Sequence, residues 1–136
     1  MNKDSFHWDR EENRCFGCGD NPCGLKLKFR KDGDWVQAKA ILDWYYQGFQ
    51  DVTHGGIVAT MLDEAASWAI MIETGHVAPS FEISCRFNQP VPLGEEITVK
   101  GRVLSVRHGI AHSEAQVLNS RGKVLASGKI GSRILS

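Results

Sequence analysis

Asp63 sits where a structural role alone explains it poorly. Asp is a weak helix former whose charge resists burial, yet here it follows Met61-Leu62 and precedes Ala65-Ala66, inside the apolar stretch from His54 to Thr74. A carboxylate partly withdrawn from water gains basicity, and it can then take a proton from water or attack an electrophilic carbonyl. Ser67 follows four residues later on the same helical face, where a hydroxyl would orient that carboxylate or a water. The stretch opens with His54-Gly55-Gly56. The first amides of a helix lack intrahelical acceptors, glycines let a ligand approach them, and the helix dipole adds partial positive charge. Together these suit an oxyanion or a phosphate. Plain structural readings stand beside both features. Thr60, Asp63, Glu64 and Ser67 would form a solvated polar stripe, and the glycines would relieve crowding against a sheet.

Spacing constrains how the two features act together. Asp63 follows Gly56 by seven residues, so it lies roughly 10 Å along a straight helix from the free amides, at about 1.5 Å per residue. It cannot meet an oxyanion bound at its own helix start. If one reaction uses both, the second comes from another copy of the chain, which predicts a homodimer with shared sites across a two-fold axis.

The surrounding elements read as strands. Leu25, Leu27 and Phe29 alternate with Lys26, Lys28 and Arg30, predicting a strand that turns at Lys31-Asp32-Gly33-Asp34 into a second strand from Trp35 to Leu42. Asp43 to Thr53 is a loop carrying Trp44-Tyr45-Tyr46 and Phe49, candidates for lining an apolar pocket. Beyond the helix, Phe81, Ile83, Cys85 and Phe87 alternate with polar residues in the clearest strand pattern of the chain. Three more strands follow, from Ile97 to about Arg107, from Ile110 to Leu118 and from Lys123 to about Arg133, joined by short turns. Short connections favour antiparallel pairing. The economical arrangement is an α+β domain, a curved antiparallel sheet wrapped around one long central helix.

With 136 residues, 42% of them hydrophobic, the chain fits one domain spanning 1–136, with 1–23 an N-terminal extension and cysteine-bearing loop. Lys plus Arg balances Asp plus Glu at 16 each, which argues against nucleic acid as a partner. Asp63, Glu64 and Ser67 interrupt the longest apolar run and the first residues lack an apolar signal core, so neither a membrane span nor secretion is expected. The expected location is cytoplasmic, where cysteines remain thiols or ligands.

His54-Gly55-Gly56 with Asp63, followed by a strand ending Arg86-Phe87-Asn88-Gln89-Pro90-Val91, resembles the hotdog-fold acyl-CoA thioesterases of the phenylacetic-acid-degradation type. Cys15-Phe16-Gly17-Cys18-Gly19 with Asn21-Pro22-Cys23-Gly24-Leu25 resembles the N-terminal segment of one branch of that family. The resemblance implies a hotdog fold and hydrolysis of acyl-CoA to free acid and coenzyme A without a cofactor. It implies that Asp63 is general base or nucleophile, that the Gly56 amide holds the oxyanion, and that Asp63 comes from the partner subunit. Ser67 would assist the attacking water, His54 would shape the loop, and Gly55 would line the substrate site. Relatives often carry Asn or Gln six residues before the histidine. That position here is Gly48, and Gln47 is the candidate to take over its role. A dimer, or a dimer of dimers, is the implied assembly, and Arg102, Arg107, Arg121 and Lys123 are candidates to meet coenzyme A phosphates.

Two other functions fit parts of the sequence. A non-catalytic acyl-CoA binding protein would keep the glycines without needing Asp63. A zinc-dependent interaction module would use Cys15, Cys18 and Cys23, with His7 as fourth ligand. A second cysteine pair at regular spacing is missing, so the expectation is small buried side chains in a compact loop and no metal.

Overall fold

The computed structural model describes residues 13–135; His7 and the rest of 1–12 lie outside the described residues. Six strands form one antiparallel sheet: β1 (Arg30–Asp32), β2 (Trp35–Ile41), β3 (Ser80–Phe87), β4 (Glu96–Arg107), β5 (Ile110–Leu118) and β6 (Val124–Arg133). A short 3-10 turn at Trp44–Tyr46 and the long helix α1 (Gly55–Thr74) lie between β2 and β3. The strand order is β1-β2-β4-β5-β6-β3, so β1 and β3 are the edges. This is the α+β arrangement that the strand and helix patterns predict and the hotdog fold that the resemblance implies.

The helix begins at His54, whose extended backbone and side chain cap the first turn, and stops at Gly75, which takes the left-handed conformation at φ 74°. Val58, Met61, Leu62, Ala65, Ala66, Ala69 and Ile70 are buried, a spacing that faces one side of the helix toward the sheet. By length and composition alone α1 could cross a membrane, but this buried face makes it the core helix of the domain. Its partners include Ile97 and Val99 of β4, Ala115 and Val117 of β5, and Ile130 of β6. Fully burying a side chain such as Leu62 contributes about 1.5–3 kcal/mol. The close approach of helix and sheet depends on Gly101 in β4, where a β-carbon would stand 2.7 Å from the Ala65 carbonyl oxygen.

One expectation needs correction. The predicted strand from Leu25 to Arg30 joins the sheet only from Arg30. Leu25 and Leu27 are buried as their alternation indicates, but their amides donate to the carbonyls of Phe16 and Gly17, at 2.7 and 2.9 Å, rather than to a sheet neighbour. The cysteine loop has captured those hydrogen bonds. β3 forms where the clearest alternation predicts a strand. Phe81, Ile83 and Phe87 nevertheless remain 58%, 40% and 54% exposed, because β3 is an edge strand and the apolar face of its alternation has no cover among the described residues.

Candidate active site

The helix start is held by the loop before it. His54 donates its amide to the Tyr46 carbonyl at 2.9 Å, and its Nδ1 accepts the Gly56 amide at 2.8 Å. Acceptance at Nδ1 places the neutral imidazole proton on Nε2. The Gly56 amide, expected to hold an oxyanion, is therefore engaged, for the reason that a capping side chain generally takes an amide of the first turn. The exposed Gly55 amide has no acceptor among the described residues. Gly48 packs against His54: a β-carbon there would lie 2.9 Å from the His54 Cα, which explains why the loop carries no larger side chain at that position. Gln47 is exposed and its Oε1 accepts the Asp51 amide at 2.9 Å, so its carbonyl shapes the loop while its amide group stays available.

Two turns along, Asp63 lies at the edge of the buried face. Its Oδ1 accepts a hydrogen bond of 2.5 Å from the hydroxyl of Ser80, the first residue of β3. Asp63, Ser80, Ala59, Thr60, Phe81 and Ile83 line an open groove of about 360 Å³ between helix and edge strand. Ser67, expected to orient this carboxylate, donates no hydrogen bond to it among the described residues; Ser80 holds that position instead. The sequence offered little signal for Ser80, since the two residues are 17 apart in the chain and a serine at a strand start is unremarkable. A cleft of about 390 Å³ near Trp35, Ala69 and Arg102 is lined by neither Asp63 nor Gly55-Gly56.

Glu64 points away from this groove. Its Oε1 accepts from the Cys15 thiol at 3.2 Å. Burial raises its carboxyl above the ordinary range, opposed by hydrogen bonds from Cys15 and Cys18. Burial likewise pushes the Cys18 thiol up to about 12, with the Glu64 charge adding to the effect and the Trp68 indole opposing it. Cys18 is buried, Cys15 half-buried and Cys23 exposed, so the expected compact loop forms without Cys23 in its interior. Trp44, Tyr45 and Phe49 are exposed, while the Tyr46 hydroxyl donates to the Gly24 carbonyl at 2.6 Å and braces the cysteine loop. Arg102 is committed to Glu114 at 2.6 Å and lies over the Trp35 ring.

A curved antiparallel sheet, one core helix, and a glycine-rich helix start with a carboxylate two turns on define a class, and residues 50–126 match the family model described as Thioesterase superfamily. The chain belongs to that family. It is 30% identical to mouse acyl-coenzyme A thioesterase 13 over 78 residues, 56% of each chain, so it spans about half the length of the curated relatives that it matches. Solved structures share the fold. Zebrafish thioesterase superfamily member 2 has a TM-score of 0.75 at 22% identity, over 85% of this chain and 89% of that one. The Streptococcus mutans protein smu.793, solved bound to acetyl CoA, has 0.73 at 16%, over 81% and 89%. The E. coli PaaI protein of the phenylacetic acid degradation operon has 0.72 at 16%, over 80% and 83%.

Proposed function

We infer that the chain hydrolyses acyl-CoA thioesters. Asp63 accepts a proton from water as the water oxygen bonds to the thioester carbonyl carbon; in the nucleophilic variant its own oxygen attacks, and after coenzyme A leaves, water hydrolyses the acyl-aspartyl anhydride to free acid and carboxylate. The carbonyl oxygen becomes an oxyanion at the partner's helix start, where the Gly55 amide is the open donor. The C–S bond then breaks and coenzyme A leaves as a thiolate, a group stable enough to depart without strong acid assistance. The observation that carries this reading is the Ser80 hydrogen bond to Asp63 within an open groove. It fixes one carboxylate oxygen and leaves the other for water. The family and the relatives named acyl-coenzyme A thioesterase support the substrate class.

The homodimer in this reading is supported by β3. Ser80 marks the Asp63 end of this strand, and Phe87 marks the Gly55 end, since a β-carbon on Gly55 would meet its ring at 3.9 Å. Antiparallel pairing of two β3 edges about a two-fold axis near Ile83–Ser84 would set the Ser80 end of one chain opposite the Phe87 end of its partner. That brings Asp63 of one protomer toward Gly55 of the other and covers Phe81, Ile83 and Phe87. Coenzyme A would lie along this seam. A dimer of dimers is the next level of assembly in the same reading.

A second reading, acyl-CoA binding without turnover, draws on the neighbour solved with acetyl CoA. Release of free thiol from short, long and aromatic acyl-CoAs separates the two. Wild type should turn over at least one member and folded Asp63→Ala none, whereas binding of the panel with no hydrolysis supports the second reading.

A further inference from the structure

We propose that Cys15, Cys18 and Glu64 form a binding site for a thiophilic divalent ion of the zinc class, which fastens the N-terminal loop to the central helix. One ligand atom from each of the three lies within 4.8 Å of the others. A tetrahedral ion with Zn–S near 2.3 Å and Zn–O near 2.0 Å separates its donors by roughly 3.5–3.8 Å, so the cluster needs only small side-chain adjustments to close on one. Two sulfurs and one carboxylate oxygen suit zinc better than magnesium or calcium, which favour all-oxygen sets. Water would complete the fourth position.

The surroundings are those of ligands rather than of packing residues. Glu64 Oε2 is buried with no hydrogen-bond partner, and no ion pair among the described residues engages Glu64. An ion bound there would give this oxygen the partner it lacks. Both sulfurs accept hydrogen bonds: Cys15 Sγ from the Gly17 amide at 3.3 Å and Cys18 Sγ from Asn13 Nδ2 at 3.8 Å. Such donors around metal-bound thiolates stabilise their charge and fix their direction. The Gly19 amide closes the Cys15 carbonyl at 2.9 Å, giving the tight turn that lets two cysteines three apart aim the same way. Gly17 has a steric reason as well, since a β-carbon there would collide with the Glu64 side chain. Lys28 Nζ donates to the Cys18 carbonyl at 3.0 Å and lies 3.9 Å from the Asp20 carboxylate, which ties the loop together beside Cys18. The second cysteine pair whose absence argues against metal in the sequence is unnecessary, because a helix residue 49 positions away supplies the third donor.

The test uses the full chain purified without a metal-binding tag, reduced, stripped with a chelator and titrated with Zn²⁺ or Co²⁺ alone. About one zinc per chain should be retained through gel filtration, and Co²⁺ should give thiolate-to-metal charge-transfer absorption with tetrahedral d–d bands. Cys15→Ser, Cys18→Ser and Glu64→Gln should each weaken retention by at least tenfold, while Cys23→Ser, whose thiol is exposed outside the cluster, should retain it fully. The Co²⁺ spectrum of wild type stands even if a variant misfolds. A wild-type chain that retains no zinc and shows no thiolate band overturns the proposal, as does zinc binding undiminished in folded Cys15→Ser and Cys18→Ser. A reduced chain that forms a Cys15–Cys18 disulfide in air, and binds no metal when reduced again, overturns it also.

Discussion

Ser80 donates its hydroxyl to the Asp63 carboxylate at 2.5 Å, tying the first residue of an edge strand to the middle of the central helix. The carboxylate is thereby oriented from the sheet and not from its own helix. Ser80→Ala should lower kcat roughly ten- to a hundredfold with KM little changed, because positioning rather than binding is lost. Thermal stability should barely move, since Ser80 is exposed. Steady-state kinetics beside a melting curve read both effects; a change confined to KM would argue for a substrate contact instead.

The edge of β3 should be the dimer seam. Ile83→Arg places a charge on a strand face that is apolar at Phe81 and Phe87 and uncovered among the described residues. Sedimentation equilibrium should report a monomer that keeps its far-ultraviolet spectrum and loses thioesterase activity. A variant that remains dimeric would move the interface elsewhere.

Gly101→Ala should destabilise the domain by about 1–3 kcal/mol, because the added methyl meets the Ala65 carbonyl at 2.7 Å and must push helix from sheet. Urea unfolding measures the loss, which appears in the midpoint with the slope unchanged.

Thiol reactivity should follow burial. Cys23 is exposed and Cys18 buried. Cys85 is half-buried, with burial and the nearby Asp63 charge raising its thiol above the ordinary value. A raised value leaves less thiolate at a given pH, so iodoacetamide near neutral pH should label Cys23 first and Cys85 later, while Cys18 should resist until the chain unfolds. Mass spectrometry of timed samples gives the order.

The parts of this fold that sequence makes legible are those with a local period. Short turns on either side of Ile110–Leu118 locate β5 at its observed ends, and the run of apolar residues before Gly75 fixes α1. Leu27 shows the limit: its alternation correctly indicates burial, but the partner for its amide is the Gly17 carbonyl at the cysteine loop, a choice made by tertiary packing. The site divides in the same way. Asp63 stands out because a carboxylate is costly in an apolar helix, and the glycines because they precede that helix. Ser80 and the meeting of Glu64 with Cys15 depend on contacts across 17 and 49 residues, which no spacing rule carries. The His54 cap on Gly56 is local, but it reads from sequence only as a histidine before a glycine pair, which leaves open whether the ring bonds the amide or exposes it.

The shared site is tested most directly by mixing two inactive variants. Asp63→Ala removes the carboxylate. Gly55→Pro removes the open amide at a first helical position that tolerates proline, with only the Phe87 ring nearby. After verified subunit exchange of equal amounts, half the dimers should be mixed, each with one intact site, so thiol release from acyl-CoA should recover to about a quarter of the wild-type rate. No recovery from exchanged, folded chains would contradict a site built from Asp63 of one protomer and Gly55 of the other.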